Sequence, residues 1–115
     1  MSIEEVVGFY FEGTYEANAD KLKRAFHPDC HINGKFHGEY VDWTREQFVE
    51  RICSRESEAS EGALFDKQIV EMDVTHDIAS VKAKVLGTGQ YFIDYITLVK
   101  MGGEWVIRNK TFITV

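Results

Sequence analysis

The chain has 115 residues, 44% of them hydrophobic and 28% charged, and its 19 acidic side chains outnumber 13 basic ones for a net charge of −6. That length makes one domain, residues 1–115, able to bury roughly two-thirds of its unfolded surface. The acidic balance argues against a nucleic-acid partner, which draws on Lys and Arg, and no run approaches the roughly 20 apolar residues of a membrane span.

Ser2-Ile3-Glu4-Glu5 is a capping box, and Ile3, Val6, Val7, Tyr10, Phe11 and Thr14 recur at helical spacing, so the pattern predicts an amphipathic helix over residues 3–17. Asn18 caps a shorter helix whose buried side is Leu22, Ala25 and Phe26, and His27-Pro28-Asp29 stops it because Pro28 disfavours helical backbone at His27. A short strand over residues 29–36 follows, with a turn expected at Asn33-Gly34. Thr44-Arg45-Glu46-Gln47 is a second capping box, starting a helix with Phe48, Val49 and Ile52 on its apolar stripe; Trp43 before it reads as a staple or as packing over a cavity mouth. Residues 54–62 are polar and read as a mobile loop. Strands are predicted over 64–74, 78–86, 90–100 and 104–114, the last two joined by Gly102-Gly103.

The fold class is therefore α+β: three N-terminal helices packed on one face of a strongly curved, mostly antiparallel sheet, with a conical cavity between the layers. Cys30 and Cys53 form no paired motif, and Glu4 and Glu5 stand where a secretory leader would be basic, so the expectation is a cytoplasmic protein with reduced thiols.

Tyr10-Phe11-Glu12-Gly13, Ala25-Phe26-His27-Pro28-Asp29, Gln47-Phe48 and Asp94-Tyr95 through Trp105-Val106-Ile107-Arg108-Asn109-Lys110 resemble the putative lumazine-binding family. That family belongs to the nuclear transport factor 2-like, cystatin-like (SnoaL-like) superfamily. The resemblance covers most of the chain and implies the same helix-on-curved-sheet fold and a bound pteridine-like ring. The superfamily holds isomerases, dehydratases, cyclases and many non-enzymes, so the shared fold assigns no activity.

With Gly102-Gly103 as the turn, strict alternation places Phe92, Asp94, Ile96, Leu98, Trp105, Ile107, Asn109 and Thr111 on one face, looking into the cone. Asp94 then lies diagonally across from Asn109. A carboxyl group in an apolar cup can serve as acid or base, with Tyr10 as the second polar group, a pairing that the superfamily's ketosteroid isomerases use. Alternatively Asp94 accepts hydrogen bonds from Asn109, Tyr10 or a backbone amide and braces helix against sheet. Tyr10, His27, Trp43, Phe92, Asp94 and Asn109 are the candidate ligand-binding residues. His27, His31 and His37 form no zinc pattern, because Pro28 breaks the helix that would align them; no metal or cofactor is expected.

The other hairpin face carries Ile93, Tyr95, Thr97, Val99, Val106, Arg108, Lys110 and Phe112, a mixed apolar and basic surface suited to a protein interface. It predicts a homodimer through the sheet, which the resemblance also implies. Three functions fit the sequence: a dimeric module binding an apolar or aromatic small molecule, a cofactor-independent isomerase, dehydratase or cyclase using Asp94 and Tyr10, and a ligand-free interaction scaffold.

Overall fold

A computed structural model describes residues 1–115 and has three helices and six strands. Helix α1 (Ile3–Glu16) starts at the expected capping box: Ser2 Oγ accepts from the Glu5 amide at 3.1 Å, and Glu5 Oε1 accepts from the Ser2 amide at 3.0 Å. Asn18 caps α2 (Ala19–Ala25), and α2 packs tightly on α1 because Gly13 has no side chain; a Cβ there would lie 2.8 Å from Leu22. Strands β1 (Phe26–Phe36) and β2 (Glu39–Thr44) precede α3 (Arg45–Cys53), which Thr44 and Gln47 cap reciprocally. Strands β3 (Lys67–Thr75), β4 (Ile78–Gly87), β5 (Gln90–Met101) and β6 (Glu104–Thr114) complete one open sheet of order β2-β1-β6-β5-β4-β3. Only the β1–β6 pair is parallel.

The buried core runs between the layers. Val6, Val7, Tyr10 and Phe11 of α1, Leu22 and Ala25 of α2, and Phe48 and Ile52 of α3 meet Val81, Ala83, Ile96, Leu98 and Ile107 of the sheet. Cys30 joins this core, and burial pushes its thiol up to about 11, whereas Cys53 is exposed.

Four expectations are corrected. The first strand begins at Phe26, so Pro28 lies inside it, at a stretch where β1 is not continuously paired to β6. The turn falls at His37-Gly38, not Asn33-Gly34: both residues adopt positive φ, and β2 follows as an additional strand, with Tyr40 and Asp42 on one face and Val41 and Trp43 on the other. Trp43 is therefore a strand residue. Gly34 stays within β1 because the β6 backbone crosses it closely; a Cβ on Gly34 would overlap the Phe112 carbonyl oxygen. The 54–62 loop is tied down: the Ala59 amide donates to Tyr15 O at 3.0 Å, and Glu58 is buried against Lys67.

The fourth correction governs the site. The hairpin pairs as expected from Met101↔Glu104 to Leu98↔Ile107, but Thr97 then pairs with Asn109. Arg108 is the extra residue of a β-bulge, and a one-residue slip reverses every side chain beyond it. Lys110 and Phe112, expected outside on the dimer face, point inward and are buried. Asn109 and Thr111 point outward, where they share hydrogen bonds with Asn33.

Candidate functional site

Between α1, α3 and the concave side of the sheet lies a cavity of about 70 Å³ that opens to solvent. Its walls are aromatic. Phe36 stacks on Phe92 with ring centroids 6.0 Å apart, Trp43 stacks on Phe112 at 5.9 Å, and Phe48 closes the α3 side at 6.4 Å from Trp43. Five rings from β1, β2, α3, β5 and β6 thus converge on one space, and large rigid side chains hold it open at little entropic cost.

The floor is polar. Asp94, at the centre of β5, is 1% exposed, and the α1 phenol of Tyr10 donates to its Oδ2 at 2.5 Å. Lys110 Nζ donates to the same phenol oxygen at 2.8 Å. The chemistry of the partners dictates these directions: an ammonium only donates and a carboxylate only accepts, so the phenol between them must accept from one and donate to the other. Lys110 also lies over three rings, 4.4 Å from the Tyr10 centroid, 4.7 Å from Phe48 and 5.3 Å from Phe112, a cage that suits a cation. Burial nonetheless holds the Lys110 ammonium below the usual lysine range, with the negative charge of Asp94 opposing it. Burial first, and the Asp94 carboxylate second, push the Tyr10 phenol well above its ordinary value.

A second buried pair stands beside the first. Lys67 Nζ donates to the Leu86 carbonyl at 2.6 Å and to Glu58 Oε1 at 3.4 Å, and burial lowers its affinity for the proton while Glu58 opposes that effect. Asp94 Oδ1 is different: it is fully buried and has no hydrogen-bond partner, in a residue that lines the cavity. It is the only side-chain polar atom in this condition. Leaving a buried acceptor unpaired costs roughly 1–3 kcal/mol, more when it is charged.

Of the six residues expected at the site, Tyr10, Trp43, Phe92 and Asp94 line the cavity and His27 and Asn109 do not. His27 is turned to its own strand, its Nδ1 accepting from the Asp29 amide at 2.9 Å. Asn109 is on the outer face because of the Arg108 bulge. The histidines stand apart: His31 meets Asp42 at 3.1 Å, His37 meets Gln90 at 3.1 Å, and no three His, Cys, Asp or Glu side chains are grouped to hold a metal ion.

Lys110, Phe112, Phe36, Lys67, Glu58, Arg51 and Arg55 also line the cavity, beyond the residues that sequence reasoning assigns to it. For Lys110 and Phe112 a signal exists. Ile107 and Phe112 are both apolar strand residues five apart, an odd spacing that places both inward only if one extra residue lies between them. No comparable signal marks Glu58 or Arg55, which reach the cavity from irregular chain after α3.

A family model described as putative lumazine-binding matches residues 1–113. Solved structures share the fold. A nuclear transport factor 2-like protein of unknown function from Silicibacter pomeroyi superposes with a TM-score of 0.88 at 22% identity, over 98% of this chain and 92% of that one. Nuclear transport factor 2-like proteins of unknown function from Shewanella baltica (TM-score 0.83, 21% identity, 98% and 90% covered) and Methylobacillus flagellatus (TM-score 0.76, 20% identity, 100% and 95% covered) do likewise. Among curated proteins, none matches the chain.

Proposed function

The chain belongs to the putative lumazine-binding family, and from that premise we propose that it is a small-molecule-binding protein whose ligand is a flat ring donating a hydrogen bond to Asp94 Oδ1. The observation that carries this reading is the unpaired, fully buried carboxylate oxygen on the floor of an aromatic-walled cavity. A ligand N–H or O–H supplies the missing donor, and the five rings supply the apolar contact. At about 70 Å³ the space is smaller than the ~150 Å³ cavity that holds benzene, so a ring seats with one edge inside and its remainder at the mouth.

Phenol and anisole separate this from simple apolar filling, since they share shape but only phenol donates. Phenol should raise the melting temperature more than anisole does, and the difference should shrink in Asp94→Asn, whose neutral amide oxygen is a weaker acceptor. Equal shifts from both compounds in the wild-type protein would rule out Asp94 as the anchor.

A second reading, acid–base catalysis of isomerase, dehydratase or cyclase type, draws on the same atom, because a free carboxylate oxygen in an apolar cup can take a proton from a bound molecule. Tyr10 fits it less well. Its one proton is committed to Asp94 and its oxygen to Lys110, so donating to a bound carbonyl requires the Tyr10–Asp94 bond to open. The open cavity weighs against a ligand-free scaffold.

A homodimer through the outer sheet face is also part of the proposal, with a revised set of residues. Ile93, Tyr95, Val99, Val106 and Arg108 face outward as expected, and Asn109, Thr111 and Ile113 take the places of Lys110 and Phe112. Tyr95 is 61% exposed at the middle of that face, a large aromatic that a second copy would cover. Sedimentation velocity at micromolar concentration should give a dimer that Tyr95→Glu dissociates; a wild-type monomer would end the proposal.

A further inference from the structure

The charges lining the cavity do not follow the charge of the chain. Arg51, Arg55, Lys67 and Lys110 stand against Glu58 and Asp94, four cations to two anions, in a protein of net charge −6. The deep charges balance: Lys67 pairs with Glu58, and Lys110 reaches Asp94 through the Tyr10 phenol. The surplus lies in the two arginines. Neither has a carboxylate within 4.0 Å, although Glu50 and Glu56 are their sequence neighbours. Glu58, the carboxylate that lines this side of the cavity with them, is held by Lys67. Lys21 and Arg45, by contrast, are ion-paired.

Arg51 is placed by the cavity wall itself. Its guanidinium lies 4.8 Å over the Trp43 ring and 5.1 Å over Phe36, which fixes its position without neutralising its charge. Arg55 follows just beyond the end of α3 and lines the same cavity. The negative end of the α3 dipole favours such residues, but only weakly at an exposed terminus, and one charge would satisfy it. Two guanidinium groups beside an aromatic wall, neither with a carboxylate within 4.0 Å, make a fork for a planar or tetrahedral anion.

We infer that the cavity's ligand carries a carboxylate or phosphate group, held at the mouth by Arg51 and Arg55, on the same ring whose inner edge donates to Asp94. The inference rests on the proposed binding function and narrows it from flat rings to aromatic acids or aryl phosphates. Low dielectric at the aromatic wall strengthens the contact relative to water, and the balanced floor admits the neutral end of the molecule. A cationic ring is excluded by the same arrangement, since it would meet the arginines first.

Three probes with one ring and one hydroxyl test it: 4-hydroxybenzoate, its neutral isostere 4-hydroxybenzamide, and 4-hydroxyphenyl phosphate, titrated calorimetrically into the full chain. The expected result is at least tenfold tighter binding of one or both anions than of the amide, a preference that falls below threefold in Arg51→Gln/Arg55→Gln and weakens with added salt. A tighter carboxylate identifies an aromatic acid as the ligand class, and a tighter phosphate identifies an aryl phosphate. Binding of the amide as tight as that of both anions overturns the anion inference and leaves the cavity reading standing. No binding of any probe overturns both. A preference that survives in the double variant also overturns it, because the anion is then held elsewhere.

Discussion

Lys110 on the last strand donates to the phenol of Tyr10, a residue one hundred positions earlier on the first helix, at 2.8 Å. That phenol in turn bonds Asp94, so a cation and an anion inside the fold communicate through a neutral group instead of touching. Each of the three is nearly or fully buried.

The arrangement fixes the sign of the alkaline response. Tyr10 in the fold keeps its proton well above the ordinary phenol value of 10.0, so its contribution to stability is fully present below pH 10 and is lost as pH rises through the folded value. Lys110 works in the opposite direction. Its folded value is lowered, the unfolded chain binds more protons just below 10.5, and stability rises with pH in that window. Urea unfolding across pH 7–11 should therefore show a steeper fall above pH 10 in the wild type than in Tyr10→Phe, and a smaller rise below pH 10 in Lys110→Met than in the wild type. Identical pH slopes for Tyr10→Phe and the wild type would contradict the assignment.

Removing one member of the chain should cost more than removing all of it. Lys110→Met leaves the buried Asp94 charge without its counter-charge and should destabilise by about 3–5 kcal/mol, the range for breaking a buried pair. Replacing all three, as Lys110→Met/Tyr10→Phe/Asp94→Leu, substitutes apolar groups of similar volume and should recover most of that loss. Denaturant melts of the two variants decide the point. A triple variant less stable than Lys110→Met would mean that the polar chain is itself a source of stability.

Gly34→Ala should unfold the β1–β6 seam. The added Cβ would overlap the Phe112 carbonyl oxygen at a backbone position of φ +152°, which exceeds the ~1–3 kcal/mol usual for overpacking. Because Phe112 is also part of the cavity wall, any folded fraction should lose the phenol-induced thermal shift as well. A wild-type melting temperature for Gly34→Ala would show that the strands can part there freely.

The parts of the fold legible in the sequence are those fixed by local chemistry. Both capping boxes, the helical periodicity of Ile3 to Thr14 and the Gly102-Gly103 turn each depend on residues within a few positions of one another, and each lies where its pattern places it. Asp94 and Tyr10 are legible as buried polar residues, and their bond follows from packing α1 on the sheet. What escapes reading depends on long-range geometry. The Arg108 bulge changes facing by a single residue, and period-two alternation carries no mark of it beyond the Ile107–Phe112 spacing. The role of Gly34 is invisible without the strand that crosses it, and Glu58 gains meaning only once Lys67, nine residues later, is seen to be buried.

The Arg108 bulge gives the last strand one residue that could be lost without changing which side chains enter the cavity. Deleting residue 108 would restore strict alternation with Leu98 still opposite Ile107 and Thr97 still opposite Asn109, so Lys110 and Phe112 would keep facing the cavity. Were Arg108 instead drawn into regular pairing with Thr97, Asn109 and Thr111 would turn inward, exchanging an ammonium and a ring for an amide and a hydroxyl with no substitution at any of those positions. The chemistry of the cup is thus set by the pairing register of the last strand as well as by the residues that strand carries.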